Sequence, residues 1–194
     1  MENNFLTQQS GMLVSCQEIS TPVRVQETAE CYMFVYQPET EAFIYGHGQQ
    51  VYPRGRKYVL WGPKQKDFLV TVRKSVQVSL VVDTLPVGDF EKLTVLKDPR
   101  FHVTVEVSVN TPRRLLGRLD KQHLQFSALE FCVKNIKHLR EALRDNYRGG
   151  NSLSSVWALQ NTELGRISRR LGLTLKVVQL SVVDRRNNRP SYRK

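Results

Sequence analysis

The hydrophobic residues of this chain change their spacing near its C-terminal end. In ELGRISRRLGLTLKVVQLSVVD, residues 163–184, the positions Leu164, Ile167 and Leu171 are three and four apart, which is the spacing of one helix face. After Gly172, apolar residues alternate with polar ones, as they do in a strand. Because glycine adopts the left-handed conformation without steric cost, the pattern predicts a helix that ends at Gly172 and turns directly into the last strand.

Alternating apolar residues predict most of the other strands. Between residues 23 and 61, three or four short apolar runs are separated by the turn sequences QPET, GHGQQ and PRGR, which indicates hairpin strands. Residues 67–85 alternate except at Lys74, where we expect a tight turn or bulge that divides the segment into two strands. Another strand is predicted over residues 100–110, with one face in the core.

The spacing becomes helical after this last strand. Thr111 and Pro112 are residue types suited to the start of a short helix. A long amphipathic helix is predicted from Gln122 to Tyr147, and a third helix from about Asn151 to Gly172. Strands followed by helices predict an α+β fold, a mostly antiparallel sheet of short strands with three helices packed on it.

The length of 194 residues suits one domain that buries roughly 70% of the surface of its unfolded chain. Residues 1–20 are expected to form a flexible arm, residues 21–184 the folded domain and residues 185–194 a basic tail. The start lacks the features of a signal peptide, and no window reaches the roughly 18 apolar residues of a membrane span. Three widely spaced cysteines suggest neither disulfides nor zinc, so a cytoplasmic location is predicted.

Basic residues outnumber acidic ones. Lysine and arginine total 29 against 18 acidic residues, a formal net charge of +11, which predicts an anionic partner such as nucleic acid, a membrane face or an acidic protein. Solvated faces that keep the protein soluble are the alternative interpretation of these charges. The residues predicted to bind the anionic partner are Arg54, Arg56, Lys57, Arg113, Arg114, Arg118, Arg166, Arg169, Arg170, Arg185 and Arg186.

Motifs for catalysis and cofactors are weak. The sequence GHGQQV at residues 46–51 lacks the third glycine and the βαβ unit of a dinucleotide loop, so a hairpin turn is the preferred interpretation. The four histidines include no pair at i and i+4 and no cysteine at ligand spacing, which predicts no metal site. We expect no enzyme activity and no cofactor. A site holding two carboxylates or a Cys–His contact would revive the enzyme hypothesis.

From about Val23 to Asp184 the chain resembles a known family. VRVQETAECYMFVYQPETEAFIYGHGQQVYPRGRKYVLW is similar to the opening strands of the domain shared by stomatin, prohibitin, flotillin and HflK/C, called SPFH or band 7. LTVLKDPRFHVTVEVSVNTPRRLL resembles its long strand and proline-started helix, and VKNIKHLREALRDNYRGGNSLSSVWALQNTELGRI resembles its two following helices. LGLTLKVVQLSVVD resembles the closing strand, to which Gly172 would return the chain.

The resemblance implies a non-enzymatic scaffold that self-associates, with copies of itself or related subunits, into a ring, cage or lattice. The excess of basic residues adds the expectation that this assembly lies against an anionic surface. Members commonly have a membrane segment before the domain and a coiled coil after it; this sequence shows neither, so peripheral membrane contact is expected. Apolar residues on both parities of Leu173–Val183 favour self-association, because such a strand needs cover on both faces. The alternative is a basic nucleic-acid-binding protein whose binding is salt-dependent and not sequence-specific.

Overall fold

The computed structural model describes residues 11–46, 48–52, 66–82, 99–146, 152–153 and 157–184. The strands are Met12–Glu18 (β1), Val23–Val25 (β2), Cys31–Gln37 (β3), Ala42–Ile44 (β4), Gln49–Val51 (β5), Phe68–Arg73 (β6), Ser75–Val82 (β7), Pro99–Val109 (β8), Phe126–Ser127 (β9), Ser152–Leu153 (β10), Trp157–Ala158 (β11) and Leu173–Asp184 (β12). The helices are Pro112–Leu116 (α1), Ala128–Lys134 (α2), Ile136–Asn146 (α3) and Glu163–Arg170 (α4).

The strands form two main antiparallel sheets. The first has the order β4-β3-β6-β1-β9, and the second has the order β10-β12-β8-β7, with β11 also paired to β12. A two-stranded ladder of β2 and β5 completes the described strands. The predicted α+β class with antiparallel pairing is confirmed, but the described ranges contain four helices instead of three. None of these helices is long and apolar enough to cross a membrane.

Lys74 divides the alternating segment as predicted, and the two halves belong to different sheets. β6 ends at Arg73 in the first sheet, and β7 begins at Ser75 in the second. The N–H of Lys74 donates to the carbonyl of Glu30 at 2.7 Å, and its own carbonyl accepts the N–H of Val109 at 2.7 Å. A single residue is therefore hydrogen-bonded on both sides of the corner between the sheets.

The side chain of Lys74 stabilises the same corner. Its Nζ lies 2.6 Å from Oε1 of Glu27 and 4.9 Å from the centroid of the Tyr32 ring. The hydroxyl of Tyr45 donates to Oε2 of Glu27 at 2.9 Å. The hydrogen bond to Glu27 is the main reason why the pKa of Tyr45 and the pKa of Lys74 are both raised above their ordinary values.

Alternate residues of the strands form the main core. In β7 the buried positions are Val76, Val78, Leu80 and Val82, and every second residue of β8 from Phe101 onward is buried in the same way. The residues between them on the outer face are polar except Val81, which is exposed. A second, smaller core surrounds Ile19, Val25 and Val35, where the β2–β5 ladder covers the other face of the first sheet.

The expected flexible arm over residues 1–20 is wrong for residues 12–18. These residues form β1, which lies inside the first sheet between β6 and β9, and Leu13 and Val14 are buried there. Residues 12–18 form a strand because they pair with β6, which lies far along the chain. The local sequence pattern does not reveal this pairing. Residues 1–10 and the predicted tail, residues 185–194, lie outside the described residues.

The predicted helix from Gln122 to Tyr147 is wrong at its start and in its middle. Residues 126–127 pair with β1 as β9, so α2 begins only at Ala128. Asn135 then separates α2 from α3, and its side-chain amide donates to the carbonyl of Phe131 at 2.8 Å. This local hydrogen bond competes with continuation of the helix. Tyr147 itself lies outside the described residues.

The predicted helix from Asn151 to Gly172 is wrong in its first half. Residues 152–153 and 157–158 pair with β12 as short strands, and α4 begins at Glu163. Thr162 caps this helix, because its hydroxyl accepts the N–H of Gly165 at 3.1 Å.

A β-bulge explains why β12 is apolar on both parities. Leu175 and Val177 pair with core positions of β8, the register shifts between Val177 and Gln179, and Leu180 then pairs with another core position. Val178 is the extra residue, so the core face of the strand passes from odd to even positions there. The prediction that this strand needs apolar cover on both faces is therefore wrong.

Gly172 ends the last helix as predicted. Its φ is 76°, and its carbonyl accepts the N–H of Asn110 at 2.9 Å and the N–H of Thr111 at 3.1 Å. A Cβ at this position would lie 2.7 Å from the carbonyl oxygen of Thr111. The turn therefore requires glycine both for its backbone conformation and for its close contact with the segment after β8.

Replacing Gly172 with alanine should lower the free energy of unfolding by about 3 kcal/mol. About 1 kcal/mol comes from the left-handed conformation and the rest from displacing Thr111. Gly48→Ala is the matched control, because Gly48 also has a positive φ, 74°, but no atom lies within 4 Å of its added Cβ. Urea unfolding should give about 1 kcal/mol for the control. Equal losses in the two variants would contradict the close contact.

The Lys74 corner should weaken at alkaline pH. Raised pKa values mean that the folded state holds the Tyr45 and Lys74 protons more tightly than the unfolded state. Their contribution to stability is therefore complete below about pH 10 and is lost as the pH rises through the raised values. The urea midpoint should fall less steeply with pH in Glu27→Gln, which removes the carboxylate that Lys74 and Tyr45 contact. Glu30→Gln is the control, because it keeps Glu27 and also keeps the backbone carbonyl of residue 30 that accepts the N–H of Lys74. Parallel curves would contradict the prediction.

Candidate anion-binding surface

The structure brings two of the predicted basic clusters together. The cluster after residue 112 lies on and after α1, and the cluster at residues 166–170 lies on α4. The Nη1 of Arg114 donates to the carbonyl of Arg169 at 3.3 Å, in the last turn of α4. The C-terminal ends of the two helices therefore meet, although 55 residues separate the bonded pair.

The arginines of these two clusters are exposed, and we call them together the arginine surface. Its members are Arg113, Arg114, Arg118, Arg166, Arg169 and Arg170. Within the described ranges, Glu163 is the only carboxylate in an ion pair with one of them, at 3.2 Å from Arg166. Arginine near the C-terminal end of a helix also interacts favourably with the terminal carbonyl groups, as Arg114 does with the carbonyl of Arg169, which also accepts the N–H of Gly172 at 3.0 Å. That effect accounts for one contact and not for six exposed guanidinium groups on two neighbouring helices.

The chemistry of the arginine surface suits phosphate and not bases. Residues 110–121 and 159–184, which include both helices, contain no aromatic residue. One guanidinium group can donate two parallel hydrogen bonds to two oxygens of a phosphate. Binding of single-stranded bases instead depends on aromatic rings, on which the bases stack. The other predicted residues, Arg54, Arg56, Lys57, Arg185 and Arg186, lie outside the described residues.

A small cavity of about 170 Å³ adjoins the arginine surface where α4 meets the start of β12. Its lining residues are Asn110, Gln160, Gly165, Ser168, Arg169, Leu173, Thr174 and Leu175. Of these residues, sequence analysis predicted a site role for Arg169 alone. Asn110 and Thr174 are neighbours only because β12 pairs with β8 in the register that aligns Thr174 with Ser108. No local motif indicates this pairing.

A larger cleft of about 410 Å³ lies over the first sheet. Strands β1, β3 and β6 form its floor, and residues 121–125 form one wall. Lys121 fastens this wall, because its Nζ lies 4.4 Å from the centroid of the Phe43 ring and donates to the carbonyl of Leu116 at 3.2 Å. The sequence gives no sign of this cation–π contact, since the two residues are distant along the chain.

The larger cleft contains the residue types of a Cys–His pair without their contact. Cys16 and His123 both line it, but no hydrogen bond joins them in the described part of the chain. His123 instead places Nδ1 3.2 Å from Oδ2 of Asp120. Burial raises the pKa of the Cys16 thiol, which is opposite to the change that activates a nucleophile. This cleft therefore gives no support to the enzyme hypothesis.

Metal and dinucleotide sites receive no support from the geometry. Within the described ranges, no group of three or more His, Cys, Asp or Glu side chains is placed to hold a metal ion. After Gly48 the chain forms β5, which pairs with β2, whereas a dinucleotide loop leads into a helix. The hairpin turn predicted for GHGQQV is wrong, because this segment connects strands of different sheets. His47 lies outside the described residues.

Comparisons with known proteins assign no family to this chain. No family model matches it, and searches of curated proteins and of solved structures found no match. The resemblance to the SPFH or band 7 domain therefore depends on the sequence pattern and on the order of the elements.

The three cysteines should differ in their reaction with iodoacetamide. Cys132 is fully buried and burial raises its pKa to about 12, so it should react only after unfolding. The rate at Cys16 should rise about tenfold per pH unit and continue to rise beyond pH 9, because its pKa is above the ordinary value of 9.0. Mass spectrometry of the separated peptides gives the three rates. A plateau at neutral pH for Cys16 would indicate an activated thiolate and would favour the enzyme hypothesis.

Proposed function

We propose that this protein is a non-enzymatic scaffold module that binds an anionic phospholipid surface through the arginine surface and self-associates there. The meeting of α1 and α4 carries the proposal, because it combines two clusters that are far apart in the sequence. Arg114 joins them directly through the carbonyl of Arg169. The absence of aromatic residues from both helices favours lipid headgroups over nucleic acid.

The expected strength of this binding is moderate and depends on salt. A basic residue near an anionic bilayer contributes about 1 kcal/mol, and this attraction decays within a Debye length of about 8–10 Å at physiological ionic strength. Six arginines therefore give several kcal/mol when they face the membrane together. Binding of this kind is peripheral, and added salt reverses it.

The order of elements supports a relationship to the SPFH or band 7 domain. The long strand β8 leads into a proline-started helix, further helices follow with the short strands β9, β10 and β11 between them, and Gly172 returns the chain to the sheet as β12. These three features correspond to the parts of the sequence that resemble the family. Self-association into a ring, cage or lattice is proposed from this resemblance alone, because the bulge in β12 accounts for the apolar residues on both parities of that strand.

Nucleic-acid binding is the alternative function, and the same arginines would then contact backbone phosphates. Such binding would be insensitive to sequence, and its affinity would fall steeply with salt because each contact releases counterions. A clear preference for duplex or single-stranded nucleic acid over anionic vesicles at equal ionic strength would favour this alternative.

Neutralising part of the arginine surface should weaken vesicle binding about 100-fold. The test variant combines Arg113→Gln, Arg118→Gln and Arg170→Gln, at roughly 1 kcal/mol for each charge. The control combines Arg24→Gln, Lys134→Gln and Lys137→Gln, which remove the same charge from exposed positions on other elements. Sedimentation with vesicles containing phosphatidylserine measures both variants. Equal losses would show that net charge, and not this surface, determines binding.

Self-association should give a large and discrete mass in solution. Light scattering of nuclease-treated protein, with and without added nucleic acid, measures this mass directly. A discrete oligomer without nucleic acid is the expected result for a scaffold. A monomer that grows only when nucleic acid is added would contradict the scaffold proposal and favour the alternative function.

A further inference from the structure

The cavity of about 170 Å³ beside the arginine surface is lined by polar side chains together with Gly165, Leu173 and Leu175. Its polar side chains are those of Asn110, Gln160, Ser168, Arg169 and Thr174, and no carboxylate lines it. Amides, hydroxyls and a guanidinium can all donate hydrogen bonds, and Arg169 adds a positive charge. The hydroxyl of Ser168 already donates to the carbonyl of Gly165 at 3.0 Å, so the donors for a ligand are on the other four side chains. A cavity with these donors and no acidic group favours an anion with several acceptor oxygens.

The hydrogen bonds within the lining leave several N–H and O–H groups available to a ligand. The side-chain amide of Asn110 donates to the hydroxyl oxygen of Thr174. Because that oxygen accepts, the hydroxyl proton of Thr174 is free to donate to a ligand, and Asn110 keeps a second amide proton. Arg169 uses Nε to donate to the carbonyl of Gly165 at 3.3 Å, which orients its guanidinium while the Nη groups extend beyond this contact.

The walls of the cavity are held rigidly. The Asn110 wall is fixed by its N–H bond to the carbonyl of Gly172, and the opposite wall is fixed by the N–H of Leu159, which donates to the carbonyl of Leu175 at 3.1 Å. Gly165 packs so closely that a Cβ there would lie 1.9 Å from the carbonyl oxygen of Leu159. Ligand groups are recognised most selectively when the donors are positioned in advance in this way.

The size of the cavity limits the ligand. A volume of about 170 Å³ holds a small group of atoms and excludes a large ligand. That space accommodates one tetrahedral phosphate with the first atoms of its ester. A terminal phosphate also presents three oxygens and, with a second pKa near 6, carries almost two negative charges at neutral pH.

We infer that this cavity is a binding site for a single phosphomonoester group. The inference depends on the proposed function. In that function the arginine surface attracts anionic lipids in general, and the cavity beside it would bind one type of phosphate group specifically. A diester phosphate carries one charge and continues as a chain on both sides, so it fills the site poorly. The monoester belongs either to a lipid headgroup or to a soluble compound, and both present the same terminal group.

The test compares two kinds of vesicle with equal surface charge. One contains phosphatidylinositol 4-phosphate, which ends in a monoester, and the other contains phosphatidylglycerol, which has only a diester. The full chain should bind the monoester vesicles at least about tenfold more tightly. Inositol 1-phosphate and inorganic phosphate serve as soluble probes in isothermal titration.

Variants of the lining and of its surroundings separate this site from general charge. Thr174→Val removes one hydroxyl and should abolish the preference for monoester vesicles, whereas Thr174→Ser keeps the hydroxyl and should retain the preference. Arg169→Gln should also abolish the preference. Arg170→Gln removes the same charge from the same helix outside the lining, so it should weaken binding to both vesicles and keep the ratio. Circular dichroism confirms that each variant is folded.

The outcomes distinguish the inference from the proposed function. Equal binding to the two vesicles, or a preference that survives Thr174→Val, would overturn the phosphomonoester site and leave the proposed function intact. Binding to neither vesicle would overturn both. Binding of soluble inositol 1-phosphate that depends on Thr174 would support the site with a soluble ligand, and dependence on Thr174 only with vesicles would support it with a lipid headgroup.

Discussion

Three consecutive backbone N–H groups hold the two sheets and the last helix in one arrangement. The N–H of Val109 donates to Lys74, and the N–H groups of Asn110 and Thr111 donate to Gly172. Lys74 is the corner between the sheets, and Gly172 is the turn between α4 and β12. Because a hydrogen bond is strong only when the N–H points at its acceptor, these three bonds fix the direction of the backbone after β8. The position of α1 follows from them.

The arginine surface is a consequence of this arrangement. Helix α1 starts directly after the bonded segment, and α4 ends at Arg170, two residues before Gly172, so the C-terminal ends of both helices are brought to the same place. The partial negative charge of the two C-terminal helix ends offsets only part of the positive charge of the six arginines, so anions from solvent or from a partner balance the rest. A phosphate-bearing surface satisfies that requirement with the chemistry that guanidinium groups bind best.

Local patterns predicted the elements whose cause is local. The break at Lys74, the glycine at position 172 and the alternation of β7 and β8 could all be identified from the sequence. The strand β1 could not, because its pairing partner lies far along the chain, and neither could the bulge, because only the register with β8 reveals it. The arginines were identified by type. Their meeting, and the roles of Asn110 and Thr174 beside them, depend on tertiary contacts that a single sequence does not show.

The bulge at Val178 divides β12 into two parts whose core-facing positions follow opposite alternations. The odd positions face the core before it, and the even positions face the core after it. A deletion of that single residue would preserve the composition and would barely change the length, yet it would exchange the inner and outer faces of everything beyond it. Natural variation in this strand should therefore conserve the number of residues between Gly172 and Leu180 more strictly than the identity of any one of them.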